Sequence, residues 1–309
     1  MKRFIVKTLL FLLPLFILLI LVEFGIRSIP NDYSYKNNWL EEHANEVKVL
    51  TFGSSHGYYG INPHAFSELT FNAAHVSQNL NYDKFIFSKF IDKADSLRCV
   101  VLPVSYFSLN GKVLIGGTEA WRNKKYMLYY DCPYRRHSFM NWEIYNGKLL
   151  ANCRKVCKYA LCDKNDVNVD SLGWCAKDEV EWVDDSQAAV KRHTASDIDY
   201  EKVRLSVERV RFIIEECRSR NINVVMVTLP AFETYREKLN ERQLSIVVDS
   251  CNKLSLEYDN VAYLDLLADD RFERTDFFNS DHLCKTGATK VSVILQQAID
   301  SLDRLGNRN

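Results

Sequence analysis

Four short apolar runs constrain most what this chain can fold into: residues 47–52 (VKVLTF), 98–104 (RCVVLPV), 223–229 (NVVMVTL) and 261–266 (VAYLDL). Each has the length of a strand. The second and third are apolar almost without alternation, as strands covered on both faces of a parallel sheet must be. Residues 71–74 (FNAA) add a shorter strand-like stretch. Between the runs lie segments of helical period. Leu80, Phe85, Ile86, Phe90 and Ile91 mark one over 77–94, and Val203, Val207, Val210, Ile213 and Ile214 mark another over 200–219. Two more are predicted over 237–257 and 286–305, the last with Val291, Ile294, Leu295, Ala298 and Leu302 on one face. Strands alternating with helices imply parallel pairing through right-handed crossovers. The predicted fold is α/β, a three-layer α/β/α sandwich around a mostly parallel sheet.

The pattern lapses twice. From about 109 to 199 aromatics, charges and cysteines mix without a clean period, which reads as an insertion of several short helices. Its aromatics (Trp121, Tyr126, Tyr129, Tyr130, Trp142, Tyr145) suit the packing of a small subdomain, or stacking on sugar rings. The N-terminus is the other lapse. Residues 4–22 are apolar except for Lys7, Thr8 and Pro14, with Lys2, Arg3 and Lys7 at the start. A spanning helix needs about 20 apolar residues. Leading positive charge predicts the N-terminus inside and the bulk outside. A cleaved signal peptide would be shorter and end in an A-x-A-like site, whereas this run ends LVEFGIRSIP. The expectation is an uncleaved anchor over 1–24, a polar neck over 25–44 and a domain over 45–309 that contains the insertion. The chain is expected to cross the cell inner membrane once, with the domain periplasmic.

Outside the cytoplasm disulfides persist. Of the nine cysteines, Cys132, Cys153, Cys157, Cys162 and Cys175 crowd the middle, so one or two disulfides are expected there. Their C-x3-C-x4-C spacing lacks the paired C-x2-C knuckles of a structural zinc site. The 40 basic residues balance the 40 acidic ones, so no basic field invites nucleic acid.

The chemistry-bearing residues stand at strand ends. Residues 47–52 stop at Gly53 and hand on to Ser54, Ser55 and His56, at the sheet edge where α/β folds bind ligands. A serine hydroxyl needs a base to take its proton and donors to hold the oxyanion that develops. His282 lies just ahead of the final helix, with Asn279, Asp281 and Asp276 close by. A Ser–His–Asp set is recognised by geometry and not by chain order. No cluster has the ligand spacing of a metal or cofactor site, and neither is expected.

These blocks resemble the SGNH/GDSL hydrolase superfamily. The similarity is to its membrane-anchored bacterial envelope branch, which includes the D-alanyl-transfer protein and the alginate O-acetyltransferases. FGSSH carries Ser55 at the nucleophile position and Ser54 where the family has Asp. FNAAHVSQNLNYD, residues 71–83, puts Ser77 at the oxyanion-hole glycine. NSDHLCKTGA, residues 279–288, supplies His282 as the base, and MVTLPAFETY, residues 226–235, is similar to a strand-end segment of that branch. The chain departs in two places. Ser105 follows the third strand where the family has an Asn, and Asn279 stands where the triad Asp is usual, leaving Asp281 or Asp276 as the carboxylate. The resemblance implies an esterase or O-acyltransferase acting through an acyl-Ser55. His282 and Asp281 would be catalytic, with Ser54, His56, Ser77, Ser105 and Asn279 at the oxyanion or substrate. It implies an envelope polysaccharide or small acylated substrate and a membrane acyl-donor partner. A catalytically inactive glycan-binding or assembly protein on the same fold is the alternative.

Overall fold

The computed structural model describes residues 1–110, 120–133, 142–178, 182 and 184–306. Every predicted apolar run forms a strand. These are β1 (Val49–Thr51), β2 (Thr70–Asn72), β3 (Cys99–Pro103), β4 (Asn223–Thr228) and β5 (Val261–Asp265). They make a wholly parallel sheet in the order β2-β1-β3-β4-β5. The register sets Leu50 between Phe71 and Val100, Val101 beside Val225, and Val227 beside Leu264.

The order explains the layers. The chain steps one way from β1 to β2 through α3 (Ser55–Gly60). It returns past β1 through α4 (Leu80–Phe90), and continues through α8 (Tyr200–Ser219) and α10 (Glu241–Glu257). Right-handed crossovers in opposite directions place α3 on one face and α4, α8 and α10 on the other. The closing helix, α11 (Lys285–Gly306), packs with α3 and β4, while α4 packs with α8. Side chains of a strand alternate between faces. Val49, Cys99, Val101, Val225 and Val227 therefore share one cluster with Val291, Leu295 and Ile299, a stripe at four-residue spacing on α11. Leu50, Val100, Leu102, Val224 and Met226 are buried on the opposite face. The three-layer α/β/α expectation holds.

Caps move two helix starts. Asn79 accepts from the N–H groups of Asn81 and Tyr82, so α4 begins at Leu80 and not at residue 77. Asn240 accepts from Gln243 N–H at the head of α10, and Glu233–Arg236 before it form a separate short helix, α9.

The chain divides into two compact units, residues 1–38 with 115–168, and 39–114 with 169–309. In the first, α1 (Lys2–Arg27) is the one helix among the described residues long and apolar enough to cross a membrane. Residues 1–18 are exposed. Its end packs inward, where Val22 and Ile26 cluster with Ile144 and α6 (Leu149–Cys162) supplies Leu149, Cys153 and Val156. Glu23 closes the apolar run by accepting from Arg27 Nε (2.6 Å) and the N–H groups of Glu143 (3.0 Å) and Ile144 (2.9 Å). Residues 25–44, expected as a polar neck, are largely helical. They continue α1 to Arg27 and form α2 (Asp32–His43), with Ile26, Ile29, Tyr33 and Leu40 buried. In α5 (Ala120–Tyr129) and just after it, Tyr126 and Tyr130 are core residues, whereas Trp121 and Tyr145 are exposed.

The disulfides expected in the middle segment are not made by Cys153, Cys157 or Cys162, which are free thiols. All three lie on α6. Helix neighbours four apart hold their Cβ atoms about 5–6 Å apart, beyond the roughly 3.5–4.5 Å that a disulfide spans.

Candidate active site

Every residue of the site belongs to the second unit. The site is built on the turn after β1. Gly53 has φ 113°, a conformation open to glycine, and a Cβ there would press on the Pro103 ring at 3.1 Å. Its N–H donates to Asp83 Oδ1 (3.0 Å), which also accepts from Gln78 Nε2 (2.7 Å). Burial pushes the Asp83 carboxyl up to about 7 against these two donors. Ser54 caps α3, its hydroxyl accepting from His56 N–H (3.4 Å), and Ser55 is the first helical residue, half-buried. Two constraints hold α3 down. A Cβ at Gly57 would sit 2.5 Å from the Phe52 carbonyl, so the helix lies against the strand end. The Asn72 amide donates to the carbonyls of Gly57 (2.9 Å) and Ile61 (3.0 Å). Asn72, the last residue of β2, thus ties α3 to the sheet.

The base arrives from the loop before α11. Phe277 and Leu283 form an antiparallel bridge, and Phe278 N–H donates to the His282 carbonyl (2.8 Å). This delivers His282 Nε2 to 2.8 Å from Ser55 Oγ. The two residues, 227 positions apart in sequence, meet here.

Two side chains stand behind His282. Asn279 Oδ1 lies 3.0 Å from Nδ1 and also accepts from the N–H groups of His282 (2.9 Å) and Asp281 (3.3 Å). Backbone N–H groups can only donate, so the amide presents its oxygen. Nδ1 must then carry the proton and Nε2 the lone pair facing Ser55, an assignment made from hydrogen bonding. Asp281 Oδ1 is 3.1 Å from the same Nδ1, but off the line of its hydrogen bond. Asp276, the other carboxylate considered, is spent elsewhere. Its Oδ2 accepts from Glu273 N–H (2.9 Å) and Lys290 Nζ (2.7 Å).

Asp281 is the electrostatic centre. Its side chain is buried, and three imidazoles face it: His282, His56 (Nε2 at 3.6 Å) and His193 (Nδ1 at 3.7 Å). Burial opposes its ionisation, yet His282 and His56 together hold it well below the usual carboxylate range. Burial lowers His56 despite Asp281, and burial followed by His56 pushes His193 down to about 3. Both imidazoles are therefore neutral near pH 7. His56 Nδ1 pairs with Ser105 Oγ (3.0 Å), and His193 Nδ1 with Tyr235 OH (2.8 Å). Ser105 thus serves His56. Ser77 lies half-buried in the turn after β2 at φ 61°, the left-handed backbone a glycine would adopt.

His56, Asp281 and His282 offer donor atoms within 4.8 Å of one another, near enough for a metal. However, Asn279 Oδ1 fills the outward direction at His282 Nδ1, and Nε2 faces Ser55. The arrangement suits proton transfer better than ligation.

Sequence reasoning brought Ser55, His282, Asp281, Asn279, His56 and Ser105 to one place. It missed His193, at the end of α7 (Ser186–His193) within the segment read as an insertion, where no motif marked it. It also missed Tyr59 and Phe107. Tyr59 meets the His282 ring edge-on at 5.4 Å and lies under Lys177 Nζ (4.9 Å). Phe107 packs against both His56 and His193.

The chain matches no family model and no curated protein. Among solved structures it is similar to one described as an acylhydrolase of Bacteroides fragilis NCTC 9343, at 11% identity and TM-score 0.40, covering 84% of this chain and 95% of that one. It is also similar to a GDSL-like lipase of Bacteroides thetaiotaomicron VPI-5482, at 11% identity and TM-score 0.43, covering 87% and 98%. At these values the likeness carries no chemistry, which is read from the site alone.

Proposed function

We propose that this chain is an SGNH-type serine esterase or O-acyltransferase, anchored by α1 and acting outside the membrane on an acylated envelope glycan. The observation that carries the reading is the 2.8 Å contact between Ser55 Oγ and a His282 Nε2 whose tautomer is set from behind. Ser55 Oγ attacks the acyl carbonyl as Nε2 takes its proton. The imidazolium so formed faces the Asp281 carboxylate. Backbone N–H groups of Ser55 and Ser77 hold the oxyanion, since the Ser105 hydroxyl is engaged with His56. Collapse expels the alcohol, which leaves with the proton from His282. The acyl-serine then passes to water or to a sugar hydroxyl. Transfer beside a membrane acyl-donor protein fits the anchor helix.

Full-length protein in detergent is expected to label with a fluorophosphonate probe, and Ser55→Ala and His282→Ala to lose labelling while melting as the wild type does. An intact wild type that does not label would remove the catalytic reading. The same outcome favours a glycan-binding relative, for which the amide at 279 in place of a carboxylate speaks.

A further inference from the structure

The Asn279 amide has a second side. Its Nδ2 donates to Asp185 Oδ2 at 3.1 Å, across 94 residues of sequence. Asp185 Oδ1 accepts from Ser280 N–H (3.2 Å) and Ser280 Oγ (2.6 Å). Asp185 comes from the head of α7, and its side chain caps no helix N–H there. The described hydrogen bonds of that side chain all go to the loop that delivers His282. A row thus runs Asp185 Oδ2, Asn279 Nδ2, Asn279 Oδ1, His282 Nδ1, His282 Nε2, Ser55 Oγ, its three hydrogen bonds between 2.8 and 3.1 Å.

We propose that Asp185 is a positioning residue of the site. It works through Asn279, so that the pair fills the place of one carboxylate, the amide touching the imidazole and the charge standing one residue behind. Two backbone N–H groups hold the amide oxygen toward Nδ1; turned over, the amide would present its NH2 there, drive the proton to Nε2 and disarm the base. A carboxylate on Nδ2 accepts only, so that inversion costs its hydrogen bond. The negative charge also favours the imidazolium of the transition state, across a greater distance than direct contact would give. The proposal deepens the serine-nucleophile reading and rests on it.

The test is a residue swap in the full-length protein. In Asn279→Asp two carboxylates face each other where a donor met an acceptor. In the double variant Asp185→Asn/Asn279→Asp the donor and acceptor are exchanged, and the carboxylate comes into direct contact with His282 Nδ1. Two readouts are taken: the titration of the His282 ring by 15N-histidine NMR, assigned through His282→Gln, and the pH profile of fluorophosphonate labelling. His282 is also faced by Asp281, by the His56 ring at 5.1 Å and by Tyr59 with Lys177 over it, and all of these stay constant through the series. Asp185→Ala is expected to lower the His282 midpoint and slow labelling about tenfold or more. The double variant is expected to raise the midpoint above wild type and to label faster than Asn279→Asp alone. An unmoved midpoint in Asp185→Ala, or a double variant no better than Asn279→Asp, overturns the role of Asp185. Because the NMR midpoint does not need turnover, a wild type that fails to label removes the catalytic reading while the coupling is still decided. Should Asp185→Ala not fold, the swap against its single variant decides.

Discussion

Asn279 performs one of the two tasks that a carboxylate performs behind a catalytic histidine. It fixes the tautomer, because its oxygen is committed by two backbone donors, but it brings no charge. The charge is off line, on Asp281. Asp281→Asn is therefore expected to keep the Ser55–His282 contact yet slow fluorophosphonate labelling about tenfold or more. Labelling at the wild-type rate would show that Asp281 matters only to packing. The neutral imidazoles around it have a pH consequence. His193 titrates about 3 against an ordinary 6.5, so between those values the unfolded chain binds a proton that the folded one refuses. The stability contributed by a neutral His193 is therefore lost as pH drops below about 6.5. His193→Gln leaves Tyr235 an acceptor. Its melting temperature is expected to fall less than the wild type's between pH 7 and pH 5; equal falls would contradict the assignment.

At the scale of the element, the site depends on how closely α3 lies against the end of β1. Gly57 permits that approach, and a methyl group there meets the Phe52 carbonyl at 2.5 Å. Gly57→Ala must push α3 outward and carry Ser55 with it. Labelling is expected to drop while the sheet, seen by far-ultraviolet circular dichroism, stays. The turn before α3 hangs on Asp83, whose sign is opposite to that of His193. Raised from 3.8 to about 7, Asp83 keeps a proton in the folded state that the unfolded state has lost, so its effect is to reduce stability as pH rises from about 4 to 7. Asp83→Asn retains an acceptor for Gly53 N–H. Its gain in melting temperature over wild type should be larger at pH 8 than at pH 5, and a gain independent of pH would count against the buried-carboxyl account.

For the whole molecule, the long apolar helix and the candidate site separate in the sequence. The site residues all belong to the unit made of residues 39–114 and 169–309, whereas α1 belongs to the other. Residues 1–18 are exposed, and packing begins at Leu19, Val22 and Glu23. A chain starting at Leu19 keeps Glu23 and the two N–H groups it accepts from, each of which would cost roughly 1–3 kcal/mol if buried without a partner. The full chain is expected to stay with membranes through alkaline carbonate. The shortened one should appear in the supernatant with Ser55 labelling intact. Retention of the shortened chain would mean that membrane binding lies elsewhere.

What the sequence determined by itself was whatever period and local chemistry encode. The five parallel strands, the helices between them, the apolar span and the Ser55 turn are of this kind, because burial on both faces leaves an unbroken apolar run and a turn leaves a Gly-Ser break. The meeting of Ser55 with His282 was legible only as two motifs of one family set far apart. Tertiary structure alone decided the rest. Residues 32–43 are helical although polar, and bury Tyr33 and Leu40 in a way no local pattern shows. Asp281 and its alternative Asp276, five residues apart, are separated only by folding, which gives Asp276 to Lys290 and Asp281 to three imidazoles. Asp185 and His193 reached the site from a stretch without period, because hydrogen bonds and buried charge act through space and leave no repeat along the chain.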